Sequence, residues 1–201
     1  MSIEEHNVQI AIHQIPKKGN YLCGDSYFYT ETDDEFVCAI ADGLGSGKYA
    51  KESSDAVIEI IRDNIYASVE QLVKKCNEKL WGKRGVVLGI LKLHYKLGTY
   101  SFSSIGNIGM MTVSKEGKKK RNIPNAGYLA GYKRTIKVIR ENLEREMNFY
   151  MFSDGVKDAD LSHRLFLNQN IYEVINQYAQ LHDEKRDDDT TLIGLCYQGN
   201  E

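Results

Sequence analysis

An apolar strand that ends in aspartate and then runs through alternating glycines into a helix constrains the fold of this chain most strongly. The stretch is CAIADGLGSGKYAKESS, residues 38–54. The uninterrupted apolar run FVCAIA (36–41) is typical of a strand buried on both faces. From Ala50 to Ile65, apolar residues recur at helical spacing and predict an amphipathic helix of about four turns. The glycines between these elements suggest either a phosphate-binding loop or, together with Asp42, a metal site.

The loop fits neither of the common nucleotide-binding patterns. A loop of the type G-x-x-x-x-G-K followed by Ser or Thr would need glycine at the position of Asp42, and Tyr49 follows Lys48 where a hydroxyl is needed. A dinucleotide-binding loop needs G-x-G-x-x-G within a parallel unit, whereas this loop reads G-x-G-x-G. The metal hypothesis is therefore the one that we retain for Asp42.

The rest of the chain predicts an α+β fold. Strands are expected from alternation at residues 8–12 and from short apolar runs at 26–30, 86–94, 99–105, 109–113, 147–153 and 190–197. Helices are expected at 69–80 and within 156–182, and residues 115–121 read as an exposed hairpin loop. Strands joined as hairpins, with helices inserted in groups, favour α+β over an alternating parallel fold. We expect residues 1–201 to form a single domain.

Composition argues against several classes of function. The formal net charge of −2 gives no electrostatic case for binding nucleic acid or a membrane surface. The sequence shows no signal peptide and no apolar run of membrane length, which predicts a cytoplasmic protein. The four cysteines lack paired metal spacing and predict free thiols, buried at Cys38 and Cys196. The five histidines are dispersed, which argues against a zinc site.

Acidic residues lie at the ends of several predicted strands. Asp25 begins one strand and Asp42 ends the next, so a hairpin would bring both to one sheet edge. Asp154 and Asp187 would meet in the same way if the strands next to them are antiparallel neighbours; whether the two pairs meet each other is left open. Converging carboxylates repel unless a hard cation such as Mg²⁺ or Mn²⁺ compensates, and two such ions could activate water against a phosphate ester. Each motif alone is typical of an ordinary turn, and only the ordered set is specific.

This ordered set resembles the metal-dependent protein phosphatases of type 2C. It consists of GD (24–25), ADGLGSG (41–47), SDG (153–155) and DDDT (187–190), which together span nearly the whole chain. The resemblance implies an α-β-β-α sandwich of two antiparallel sheets covered by helices, two Mn²⁺ or Mg²⁺ ions, and hydrolysis of phosphoserine or phosphothreonine. The further segments ESS, CN, KRG and GYLAG resemble small members of the family that act on phosphorylated stressosome proteins.

The resemblance also implies a role for each site residue. Asp42 would bridge both ions, and Asp25 would bind an ion directly or orient its water. Asp187 is preferred to Asp188 because the family pattern D-x-x-T places its ligand three residues before Thr190. The complete set of implied metal contacts is Asp25, Asp42, the Gly43 carbonyl, Asp154 and Asp187.

Two departures from the eukaryotic members concern the second ion and the phosphate. Gly24 stands where those members have an acidic residue, and Asn20 stands where they have a phosphate-binding arginine. We therefore expect weaker binding of the second ion and assign the phosphate contact to Arg84, in the loop before a strand. An ordinary surface arginine is the alternative interpretation of Arg84.

Two other functions are compatible with the same motifs. One is a related phosphatase that acts on an anti-sigma-factor antagonist, although such enzymes usually carry additional N-terminal domains. The other is a non-catalytic, metal-free binding module, which the retained Asp25, Asp42, Asp154 and Asp187 argue against. We further expect the protein to be a monomer.

Overall fold

A computed structural model describes residues 6–182 and 187–199 of the chain. Its strands are β1 (Val8–Ile15), β2 (Asp25–Glu31), β3 (Glu35–Gly43), β4 (Val86–His94), β5 (Thr99–Ile105), β6 (Gly109–Val113), β7 (Lys119–Arg121), β8 (Ile139–Asn142), β9 (Met147–Phe152) and β10 (Thr190–Tyr197). Its helices are α1 (Lys48–Asp63), α2 (Val69–Lys79), α3 (Asp158–Leu161) and α4 (Ile171–His182), with a 3-10 helix at Arg164–Leu167.

The strands form two five-stranded sheets. One has the order β1-β10-β9-β6-β7 and the other the order β2-β3-β4-β5-β8. Neighbouring strands in both sheets run antiparallel. In the second sheet short turns join β2 to β3 and β4 to β5, whereas both α1 and α2 lie between β3 and β4.

The two sheets face each other across a common core. Along β3, Phe36, Cys38 and Ile40 belong to the apolar cluster that also contains Phe149 and Met151 of the other sheet. The residues that alternate with them along β3 belong to a second cluster with apolar side chains of α1 and α2. Because successive side chains of a strand point to opposite faces, β3 is apolar throughout, as the run at 36–41 predicts.

The outer face of the first sheet is covered by the helices near the carboxyl end of the chain. Tyr150 of β9 meets the Phe166 ring edge-on at 5.0 Å, and Tyr178 of α4 lies against the same ring at 6.5 Å. Ile171 and Val174 of α4 are fully buried in this cluster. Helices thus cover both outer faces, which confirms the predicted α-β-β-α sandwich.

Two predictions of local structure needed correction. Residues 115–121 are not all loop, because Lys119–Arg121 forms β7 and pairs with β6, which leaves a turn closed by the bond from Ser114 N to Lys118 O at 3.1 Å. The strand β8, Ile139–Asn142, was not predicted, since three of its four residues are polar and it is largely exposed. Both strands lie at sheet edges, where only one neighbour stabilises them.

The cysteines follow the prediction. All four are free thiols, and Cys38 and Cys196 are buried. Among the residues described, no helix has the length and apolar character needed to cross a membrane.

Candidate metal centre

Asp25 and Asp42 stand directly opposite each other at one end of the β2–β3 ladder. The predicted hairpin is therefore confirmed, and it brings both residues to one sheet edge. Like charges directly opposite in a sheet are destabilising. Asp25 is nonetheless only 1% exposed. Placing two carboxylates opposite each other in a buried position lowers the stability of the fold, which indicates that these residues serve a function.

The second pair of motifs lies at the matching edge of the other sheet. Ser153, just past the end of β9, donates its backbone N–H to Thr191 O at 3.0 Å and accepts a bond from Thr191 N at 2.9 Å. The hydroxyl of Thr191 then donates to Asp25 Oδ2 at 2.6 Å. This last bond joins the two sheets, so the two pairs of motifs meet at one place. The sequence alone left open whether they would.

The carboxylates at this edge raise one another's pKa values. Burial, followed by the charges of Asp25 and Asp154, raises the pKa of Asp42 to about 8. Burial also raises the pKa of Asp25 to about 6. Burial and the neighbouring Asp188 raise the pKa of Asp154. Every one of these shifts opposes the charged form, as expected where several carboxyl groups share a poorly solvated site.

The three aspartates before β10 differ in their surroundings. Asp187 is exposed, whereas Asp188 is half-buried and its charge raises the pKa of both Asp42 and Asp154. Asp189 is buried and accepts a bond at 2.8 Å from the backbone N–H of Gly24. The structure therefore brings Asp188 to the cluster, while Asp187 lies at its solvent side.

The glycines after Asp42 have steric reasons to be glycine. A Cβ on Gly43 would lie 2.0 Å from the carbonyl oxygen of Ala50, so the first turn of α1 packs directly on this backbone. Gly45 and Gly47 have φ of 98° and 72°, the left-handed region that other residues rarely adopt. These values explain how the chain turns from β3 into α1 within a few residues.

Arg84 lies beside this loop. Its Nη1 donates to the carbonyl of Leu44 at 3.3 Å, and its guanidinium stands 5.5 Å from the ring centre of Tyr49. The backbone of the same loop is paired, since Leu44 N donates to Gly85 O at 2.8 Å. Arg84 is exposed and reaches the segment that directly follows Asp42 and Gly43.

The donor set fits a hard divalent cation. Within the described part of the chain, the buried Oδ1 of Asp25 has no hydrogen-bond partner. The carboxylates around it supply only oxygen, the ligand that Mg²⁺ and Mn²⁺ prefer. In residues 6–182 and 187–199, no three carboxylate, imidazole or thiol groups are drawn together into a metal-ligand arrangement. Among these residues, the strand ends and the charges of the aspartates are close together, but their side-chain oxygens are not arranged as a set of three metal ligands.

Several supporting residues were not assigned a role from the sequence. The Ser54 hydroxyl donates to Gly24 O at 2.7 Å, and Lys51 Nζ donates to Asp25 O at 3.1 Å, so α1 holds the start of β2. Asn107 donates to Asp154 Oδ2 at 2.6 Å. The segment ESS contains Ser54, but no local pattern indicates which strand its hydroxyl reaches.

This fold is shared with the type 2C protein phosphatases. No family model matches the chain. The catalytic domain of the serine/threonine protein phosphatase PstP, solved in complex with two manganese ions, superposes with a TM-score of 0.74 over 94% of this chain and 97% of that one, at 12% identity. The chain belongs to the metal-dependent protein phosphatases of type 2C, because a phosphatase relative is 31% identical over 191 residues.

That relative is phosphoserine phosphatase RsbX of Bacillus subtilis (strain 168), and the match covers 95% of this chain and 96% of RsbX. The crystal structure of RsbX in complex with magnesium superposes with a TM-score of 0.86 over 96% of each chain. A chain described under "The bacterial stressosome: a modular system that has been adapted to control secondary messenger signaling" superposes with a TM-score of 0.84 over 94% of this chain and 100% of that one, at 20% identity. The last likeness shows the fold alone.

Proposed function

We propose that this phosphatase uses Mn²⁺ or Mg²⁺, two ions when fully loaded, to hydrolyse phosphoserine or phosphothreonine in proteins. The observation that carries the proposal is the sheet edge where Asp25 and Asp42 stand directly opposite each other, and where burial and neighbouring carboxylates raise the pKa values of Asp25, Asp42 and Asp154. The RsbX structure with magnesium and the PstP structure with two manganese ions support the choice of metal. Bound ions would neutralise these carboxylates, activate water and polarise the phosphate ester.

We assign the metal contacts to Asp42, the Gly43 carbonyl, Asp154 and Asp188, with Asp25 beside them. Asp42 sits at the centre of this set, because its pKa responds to Asp25, Asp154 and Asp188. Asp188 takes the place that the D-x-x-T spacing gave to Asp187. Thr191, which bonds Asp25, follows Asp188 by three residues, so the same pattern fits one residue further along the chain.

Arg84 is the residue that we propose to contact the phosphate. Among the described residues, its bond to Leu44 O engages Nη1 alone, which leaves the other N–H groups of the guanidinium for a ligand. Two parallel bonds to phosphate oxygens are the geometry that a guanidinium favours. Arg84→Ala should weaken turnover of a phosphoprotein while leaving the affinity for Mn²⁺ nearly unchanged.

Hydrolysis of p-nitrophenyl phosphate and of a phosphoserine peptide tests the metal-dependent mechanism. We expect activity with Mn²⁺, loss of activity in EDTA, and a decrease of at least about a hundredfold in Asp42→Asn, the scale expected when a positioned catalytic group is lost. Undiminished activity in EDTA or in Asp42→Asn would refute the mechanism. Turnover without any metal dependence would refute it too, and an absence of turnover at all would favour a non-catalytic binding module.

We propose phosphorylated stressosome scaffold proteins as the substrates and resetting of the stress response as the role. The 31% identity to RsbX over nearly the whole chain supports this choice. The competing candidate is the phosphorylated anti-sigma-factor antagonist. Comparing kcat/KM for the two phosphoproteins decides between them, since preference for the antagonist would reject the stressosome assignment and leave the phosphatase activity in place.

The single domain over 1–201, the monomeric state and the cytoplasmic location stay predictions.

A further inference from the structure

Four exposed aromatic side chains form a group on one part of the surface, which we name the aromatic patch: Tyr49, Trp81, Tyr128 and Tyr132. Their exposed fractions are 65, 71, 52 and 71% respectively. Single exposed apolar side chains are ordinary on a protein surface, whereas exposed groups of them mark interaction sites. Tyrosine, tryptophan and arginine are also the residues that dominate the energetics of protein interfaces.

The members of the aromatic patch contact one another or a shared neighbour. The rings of Trp81 and Tyr132 meet edge-on with centres 5.8 Å apart. The guanidinium of Arg84 stands over the ring of Tyr49 at 5.5 Å. Trp81 and Arg84 belong to the same short segment, so this segment links the two halves of the patch.

Hydrogen bonds hold the second segment of the patch, residues 126–134, in place. Leu129 exchanges two backbone bonds with Val86, at 2.8 and 2.9 Å. Asn77 of α2 accepts the N–H of Gly131 at 3.0 Å and donates to Tyr132 O at 2.7 Å. A surface that is already ordered loses little conformational entropy when a partner binds. The segment 126–134 therefore presents its exposed rings on an ordered backbone.

The patch begins beside the candidate metal centre. Gly43, one residue after Asp42, pairs with Val86 in the β3–β4 ladder. A Cβ on Gly85 would lie 2.4 Å from the Tyr128 ring, so that ring packs on the strand end next to Asp42. A peptide whose phosphate reaches the metal centre would thus have its flanking residues over the patch.

The charge of the patch is opposite to that of the metal centre. The segments 81–86 and 126–134 contain no Asp or Glu and carry four cations, Lys83, Arg84, Lys133 and Arg134, in a chain of net charge −2. Glu52 and Glu78 line the grooves beside these cations, which leaves the surface with an excess of positive charge. Acidic flanking residues would be attracted on this side of the phosphate and repelled on the side of the aspartates. The charges therefore favour a bound peptide whose acidic residues lie on the patch side of the phosphate.

We propose that the aromatic patch is a docking surface for a protein segment that lies next to the phosphorylated residue and carries both acidic and apolar side chains. The proposal rests on the proposed function and names the substrate property that this site selects. The aromatic rings would bind the apolar side chains, and Lys83 and Lys133 would bind the carboxylates. Arg84 is assigned to the phosphate, and Arg134 donates to the carbonyls of Ala126 and Tyr128, so both arginines add positive charge without a free contact. A nucleic acid is disfavoured, because its regularly spaced phosphates would also meet the adjacent aspartates.

The first test is binding and needs no turnover, because Trp81 is the only tryptophan of the chain. The probes are two serine peptides of equal length in Mn²⁺, one flanked by glutamate and leucine and the other by lysine and leucine. We expect a saturable change of tryptophan fluorescence with the glutamate peptide, and affinity at least about tenfold lower with the lysine peptide. Equal affinity for the two peptides, or no saturable change, would overturn the proposal even if the enzyme is active.

The second test compares kcat/KM for the phosphoserine forms of both peptides. Tyr132→Ala should lower kcat/KM for the glutamate peptide about tenfold, the scale seen when an aromatic interface anchor is truncated. Lys133→Glu should lower kcat/KM for the glutamate peptide and raise it for the lysine peptide, an inversion that misfolding cannot produce. Hydrolysis of p-nitrophenyl phosphate should be unchanged in both variants, which separates failure of docking from failure of the phosphatase.

Matched controls lie away from the patch. Tyr66 is 79% exposed beyond the far end of α1, and Lys118 is exposed in the β6–β7 turn. Tyr66→Ala and Lys118→Glu should leave both peptides unaffected, and equal effects from them would overturn the proposal. It would also be overturned if Trp81→Ala dissolved a dimer seen by sedimentation, or if a single-stranded oligonucleotide bound more tightly than the glutamate peptide.

Discussion

Asp42 has the most strongly raised pKa among the aspartates at the candidate metal centre. Burial is the largest cause, and the facing carboxylate of Asp25 is the next. Burying a carboxylate near others costs stability unless a cation compensates, and perturbed acids are found most often at functional sites. At the scale of the residue, the charged form of Asp42 destabilises the metal-free protein and is the form that binds a cation, so its protonation couples stability to metal binding.

The first prediction concerns the pH dependence of the metal-free protein. The pKa of Asp42 is about 8 in the folded chain, against an ordinary value of 3.8. Between about pH 4 and 8 the folded state thus binds more protons than the unfolded state, and the free energy of unfolding should fall as pH rises. Asp42→Asn should reduce this slope and leave the part due to Asp25, whose pKa is raised to about 6. The difference between the two proteins in urea denaturation with EDTA measures the part due to Asp42. A difference that grows in favour of wild type toward pH 8 would contradict the assignment.

A second prediction separates Asp188 from Asp187. Asp188→Asn should lower the affinity for Mn²⁺, measured by calorimetry, by at least about tenfold, because even groups behind the metal ligands have effects of that size. Asp187→Asn is the matched control and should change the affinity little, since Asp187 is exposed. A larger loss of Mn²⁺ affinity in Asp187→Asn than in Asp188→Asn would show that Asp187, three residues before Thr190, is the ligand.

The sequence could predict the motif here but not its register. DDDTT contains two overlapping copies of D-x-x-T, which end at Thr190 and Thr191. Only the pairing of β10 shows that the buried Thr191 side chain reaches Asp25. Because spacing is identical in both copies, no count along the chain distinguishes them.

At the scale of the element, long buried strands and amphipathic helices were predictable and short edge strands were not. The runs that became β3 and β10 are apolar because both of their faces are covered. Lys92 shows the limit within β4: it is 1% exposed, and its ammonium donates to Glu35 Oε1 at 2.8 Å and to Ala67 O at 2.9 Å. These partners come from distant parts of the chain, so no local pattern indicates that a lysine is buried there.

The third prediction concerns Asn77, which fastens the segment 126–134 to α2. Asn77→Ala should lower the free energy of unfolding by about 1–2 kcal/mol, since it leaves backbone groups of that segment without their partners. Asn64→Ala, which removes one bond to Ile60 O, is the matched control and should cost less. The Trp81 fluorescence spectrum should change only in Asn77→Ala, because the ring of Trp81 packs on Gly131. Equal effects of the two substitutions would show that Asn77 does not fix this segment.

At the scale of the whole molecule, the association of the two sheets creates the site. The sequence could predict that each hairpin carries its own aspartates, because antiparallel pairing is local. Which strands face each other across the core depends on the packing of residues such as Ile40 and Met151, which are distant in sequence. The bond from Thr191 to Asp25 exists only after the sheets have packed, so the metal centre is a property of the complete sandwich.

The last prediction follows from this coupling between the sheets and the metal. Asp154→Asn removes one charge from the cluster and keeps an oxygen that can accept the bond from Asn107, so without metal the variant should melt at or above the temperature of wild type. At a Mn²⁺ concentration of about 100 times Kd, ligand linkage should stabilise wild type by about 2.7 kcal/mol, roughly 5–10 °C in Tm for a chain of this length. The variant binds Mn²⁺ more weakly and should gain less, which reverses the order of melting. Calorimetry in EDTA and in Mn²⁺ measures both orders, and a strongly destabilised Asp154→Asn in EDTA would show that Asp154 is a structural turn residue.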